Sequence, residues 1–171
     1  MPSVPHDIYV AYDVLPLELA PSAITVANGY LTNVAKLVYP GWTPDQEAKY
    51  YEQEDYTLLV WVGPTLLRPE DGQADVAEIP VRICGVRRTP TLEPNGGLRE
   101  VAKLGSDVRR VMRQNPKRVD PSNPGAVNVW GYNTEEVRVE SFPHLNSQGV
   151  PIWIFEGEWI VSVLWPFPKG Y

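Results

Sequence analysis

The chain has 171 residues, 43% of them hydrophobic, with a formal net charge of −6 and a single cysteine. That length supports one domain, residues 1–171, with a core of its own, and one cysteine excludes an internal disulfide. No apolar run approaches the ~20 residues of a membrane span, and Met1–Asp13 lacks a basic start followed by an apolar stretch, so neither a membrane segment nor a signal peptide is expected.

Residues 1–20 have no clear period, are broken by Pro2, Pro5 and Pro16, and read as an extended N-terminal arm. Pro21-Ser22 then predicts a helix, with Ser22 as its N-cap and Ile24, Ala27, Leu31, Val34, Ala35 and Val38 as its apolar stripe. Pro40-Gly41 stops it. Residues 43–78 read as an extended, acidic loop region interrupted by one strand, Tyr56–Val62, which is apolar on both faces and so expected to be covered on both. Glu78–Val86 predicts its sequential antiparallel neighbour, with Cys84 as an inert core thiol.

A second helix is expected over Leu98–Gln114. Leu98, Val101, Leu104, Val108, Val111 and Met112 form its buried stripe, and Asn115-Pro116 ends it. Gly105 costs such a helix about 1 kcal/mol relative to Ala, which predicts a close packing contact at that point. Val127–Tyr132 and Glu135–Glu140 read as strands around a turn at residues 132–134, followed by an extended loop over 140–151. Ile152–Trp165 is the longest strand pattern. Trp153, Phe155, Gly157, Trp159, Val161, Val163 and Trp165 share one face, and the strand either bends at Gly157 or projects past the body. The fold class expected is α+β: an antiparallel sheet flanked by two main helices, with long proline-rich loops supplied by eighteen prolines.

Charge is unevenly distributed. Residues 82–118 hold ten Lys and Arg against three acids, whereas residues 1–81 hold three against twelve and residues 119–171 two against six. Such segregation suits association with copies of the same chain or with a polyanion. The acidic pI of about 4.9 weighs against nucleic acid. His6 and His144 have no ligand partner at helical spacing, the adjacent acid pairs diverge on strands, and no phosphate loop, dinucleotide fingerprint or serine elbow occurs. Asn95-Gly96-Gly97 reads as a turn that starts a helix. No catalytic residue, cofactor or metal is expected.

The order of elements resembles the tail terminator proteins of long-tailed bacteriophages over Ser22–Phe167, most of all in Ile83-Cys84-Gly85-Val86, in the helix through Val111-Met112 to Asn115-Pro116, and in the Trp153–Trp165 strand. Head–tail connector and tail completion proteins share much of this pattern. The resemblance implies a virion structural protein, assembled in the host cytoplasm. Its subunits form a hexameric ring that caps the tail tube and joins it to the connector in the neck. It implies no catalytic residues and no membrane contact, with DNA passing through the channel. The chain departs from the family in its proline content, its acidic region 43–78 and its 140–151 loop. Trp153, Trp159, Trp165 and Tyr132 are the expected contact anchors. Arg109, Arg110 and Arg113 are the expected partners in ion pairs between subunits or the wall of a DNA channel. Reversing charge at Arg109 and Arg110 is expected to impair the ring and leave the subunit folded. The alternatives are another neck or tail completion adaptor, or a non-viral single-domain binding module.

Overall fold

The computed structural model describes residue 12 and residues 15–39, 55–69, 75–87, 94–113, 118–119, 129–130, 132–145, 149 and 151–165. Its main body is a six-stranded mixed sheet with one long helix, an α+β arrangement. The elements are α1 (Leu15–Glu18), β1 (Lys36–Val38), β2 (Thr57–Val62), β3 (Leu66–Pro69), β4 (Asp75–Arg87), α2 (Pro94–Arg113), β5 (Arg118–Val119), β6 (Val129–Trp130), β7 (Tyr132–Leu145) and β8 (Pro151–Trp165). The strands run in the order β1-β2-β4-β8-β7, with β3 also paired to β4, while β5 and β6 pair separately. Only β1 and β2 run parallel; the other contacts are antiparallel.

The helix expected from Ser22 to Val38 does not form. Thr25 caps a single 3-10 turn, Val26–Asn28, by accepting from the Asn28 N–H, and Gly29 closes it at φ 82°. Ile24, Thr25, Val26, Thr32 and Val34 are β-branched, so side-chain stiffness works against a helix through this stretch. Gly29 relieves the left-handed turn without steric cost. The chain then enters β1, and of the supposed stripe Ile24 and Val34 are buried while Ala27, Leu31 and Ala35 are exposed. One main helix, not two, therefore flanks the sheet among the described residues.

The two expected neighbours, β2 and β4, pair from Thr57↔Val86 to Val62↔Val81. Beyond that point three residues, 63–65, face two on β4, and pairing resumes as β3 at Leu66↔Glu78. The break falls at Pro80, which has no N–H to give a ladder but accepts from the Gly63 N–H at 2.7 Å. Part of the region read as loop is thus a strand. The turn expected at 132–134 is absent too: β7 runs unbroken from Tyr132 to Leu145, takes in His144 and the first residues of the expected 140–151 loop, and carries one bulge between Glu136 and Arg138. Residues 1–11 of the arm and most of the proline-bearing loop positions lie outside the described residues.

The alternation read in β8 holds. Phe155, Trp159, Val161 and Val163 face α2 and join Leu58, Val60, Ile79, Val81, Ile83, Val101, Leu104, Val108, Val111 and Met112 in the main core. Pro94 occupies the first helical position, where a missing N–H costs nothing, and residues 95–97 lie inside the first turn rather than before it. Gly105 is where α2 meets the sheet: a Cβ there would stand 2.6 Å from the Phe155 ring, and one on Gly85 of β4 would stand 2.5 Å from Leu104. Trp153 likewise lies over Gly97, and Trp159 folds its ring back over Gly157. Gly157 therefore makes room for an indole, and β8 stays paired on both sides from Trp153 to Val163. A second cluster, Leu59, Cys84, Val86, Ile152 and Ile154, fills one end of the opposite face.

Candidate interaction surfaces

The helix α2 keeps its two acids paired within the subunit and exposes Arg99, Arg110 and Arg113. Asp107 is buried, and its carboxylate accepts from the Leu31 and Thr32 N–H groups and the Thr32 hydroxyl at 2.7 to 3.0 Å. One turn on, Arg110 donates to the Gly29 carbonyl at 2.8 Å, with its guanidinium 4.7 Å from the Tyr30 ring centre. The two side chains clamp the segment that failed to be a helix.

Near the start of α2, Tyr56 donates to Glu100 and accepts from Arg87 at 2.5 Å. Arg87 and Lys103 each reach Glu100 at 2.7 Å. Hydrogen bonds from Lys103 and Tyr56 hold the Glu100 carboxyl below the usual range. Burial, then the bond to Glu100, pushes the Tyr56 phenol up to about 12. These four side chains make a hydrogen-bonded network that ties the entry to β2 and the end of β4 to the first half of α2.

Arg109 pairs with Glu136 of β7 at 2.8 Å, and Arg113 approaches the same carboxylate at 3.6 Å. Arg109 and Arg110 thus each contact their own chain, so reversing their charge removes contacts within the subunit as well as any between copies. Arg110 and Arg113 are exposed, and Arg109 is half-buried. Along the outward line of the helix, Arg99, Ala102, Ser106, Arg110 and Arg113 are exposed.

The aromatic anchors divide. Trp159 is 1% exposed and belongs to the core, where its indole N–H has no acceptor among the described residues. Trp153 is half-buried against the core at the helix start. Tyr132 and Trp165 stand at the same end of the β7–β8 pair, Tyr132 opposite Val163 and Trp165 opposite Asp75 of β4.

The other surface was not anticipated. On the face of the sheet away from α2, one rung carries Trp61, Arg82, Glu158 and Arg138 across β2, β4, β8 and β7. The next rung carries Leu59, Cys84, Glu156 and Glu140. Arg82 bonds Glu156 at 2.5 Å and lies 4.9 Å from the Trp61 ring centre, and Arg138 bonds Glu140. Counting Glu78 and Glu135, this face of β4, β7 and β8 has five Glu against two Arg, and Glu135 and Glu158 are exposed. Alternation in β8 marked Glu156 and Glu158 as one-sided; the residues opposite them depended on registers that no local pattern fixes.

Among the described residues no group of three or more His, Cys, Asp or Glu side chains could hold a metal ion, and no helix is long and apolar enough to cross a membrane. Compared with known proteins, the chain matches no family model and no curated protein sequence.

Proposed function

We propose that the chain is a virion structural subunit of the tail terminator kind: one of six copies in a ring at the head–tail junction, capping the tail tube and meeting the connector. The observation that carries this reading is the separation of charge between two opposite surfaces. Arg99, Arg110 and Arg113 line the outside of α2, while the far side of β4, β7 and β8 carries five Glu against Arg82 and Arg138, with Glu135 and Glu158 exposed. A ring is built from a repeated contact between two different patches of one subunit, and complementary sign is what such patches need. Tyr132 and Trp165, at one end of the β7–β8 pair, are the aromatic contacts proposed for tube or connector.

Particle mass by light scattering, over a concentration series at low and moderate salt, tests this. A discrete species near six subunits, weakened by salt, is the expected result. A monomer at every concentration overturns the self-assembling ring and leaves a single-domain binding module; an open-ended polymer overturns closure.

A further inference from the structure

We propose that the outer face of α2 of one copy seats on the charged rungs of the uncovered sheet face of the next. The inference rests on the self-assembly reading above and names its interface.

Three features of the two surfaces support the match. First, sign: on the helix, Glu100 and Asp107 are spent inside the subunit, so its outward line is basic. On the sheet, Glu158 stands exposed between two Arg, and Glu135 is exposed beyond it. Second, shape: the middle of the helix line is Ala102 and Ser106, both exposed and both small. A helix with small residues at its centre can lie close against a flat sheet, with long cations reaching out on either side. Third, apolar cover: Trp61, Ile160 and Phe142 are half-buried on that sheet face beside the charged rungs, and a helix laid across them removes apolar surface as well as pairing charge. The layering then continues from copy to copy, each α2 lying between its own sheet and its neighbour's.

Two sets of substitutions test the contact. The helix variant carries Arg99→Glu, Ser106→Glu and Arg113→Glu, three positions seven residues apart on one line of α2. The sheet variant carries Glu135→Lys and Glu158→Lys. Alone, the helix variant opposes acid to acid and the sheet variant base to base. Each should raise the assembly midpoint concentration about 100-fold or more, since like charges brought together cost several kcal/mol. Mixed in equal amounts, the acidic helix of one meets the basic sheet of the other, and assembly should return to within about threefold of the unaltered chain. Thermal melts confirm that both variants fold; if Glu158→Lys does not, Glu158→Gln replaces it.

An unaltered chain that assembles and ignores both sets overturns this interface and leaves the ring. Variants that dissociate alone and fail to recover when mixed also overturn it. A polymer of growing mass that the mixture restores supports the interface while overturning the closed ring. Duplex DNA binding lost in the helix variant, with assembly unchanged, overturns the interface in favour of a polyanion on α2.

Discussion

Tyr56 and Glu100 show how a single hydrogen-bonded group imprints on stability. The folded phenol, raised to about 12 from an ordinary value of 10, holds its proton more tightly than the unfolded one. Its contribution is therefore complete below pH 10 and lost as pH rises from 10 to 12. Glu100 is lowered, so its contribution is present above its ordinary value of 4.5 and lost as pH falls beneath it. Urea midpoints measured between pH 9 and about 12 should fall more steeply for the unaltered chain than for Tyr56→Phe. Tyr39, raised by burial, adds the same decline to both. Parallel curves would show that the Tyr56 proton is not held by the fold. At Gly105 the opposing magnitudes are about 1 kcal/mol of helix propensity gained by Ala and a Cβ placed 2.6 Å from Phe155. Overpacking costs about 1–3 kcal/mol, so Gly105→Ala should be net destabilising by about 1 kcal/mol. A stabilised variant in urea titration would mean that Phe155 can step aside.

At the scale of elements, α2 does two jobs: it covers the sheet and it holds residues 29–32. Asp107→Ala leaves the Thr32 N–H and hydroxyl without their acceptor in a buried place, and the Leu31 N–H without its acceptor nearer the surface. Orphaned buried donors cost about 1–3 kcal/mol each before relaxation, so a loss of about 3 kcal/mol is expected. Amide exchange should quicken at Leu31 and Thr32 ahead of the strands. Equal quickening in β4 and β8 would mean that the segment is not a separate unit. The same clamp explains why residues 22–38 form a turn and a strand rather than the expected helix. Ile24 and Val34 are at helical spacing in sequence, but their burial comes from a turn held by a carboxylate some 75 positions away. Local periodicity has no access to such a partner.

The whole molecule is a sheet with unequal faces. One face is covered by α2 together with Leu15, Leu19, Ile24 and Val34, whereas the other is core at one end and charged surface along the middle. Ile154→Ala should therefore cost about 2–5 kcal/mol, as for any buried aliphatic side chain. Glu158→Gln, four residues along the same face of the same strand, should fall within the ±0.5 kcal/mol or so of an ordinary surface change. Equal losses in chemical denaturation would mean that the far face is not divided in this way. This division also places the contacts proposed between copies, since only the charged part of that face is open to them.

Sequence by itself determined the strands β2, β4 and β8, the helix α2 and its buried stripe from Val101 to Met112 (Leu98, expected in it, is exposed), the close contact at Gly105, and the one-sidedness of the alternating residues in β8. These are legible because a period of two or of 3.6 residues, read over ten or more positions, is a local consequence of one buried face. Tertiary structure alone decided three things. Residues 22–38 are a capped turn and a strand, because Asp107 and Arg110 reach them from α2. Trp159 is core while its neighbour Glu158 is surface, because α2 covers only one side. The rung of Trp61, Arg82, Glu158 and Arg138 exists because four strands from separate parts of the chain share a register. Each depends on which distant residues meet, and that is set by packing of the whole sheet rather than by any stretch of chain.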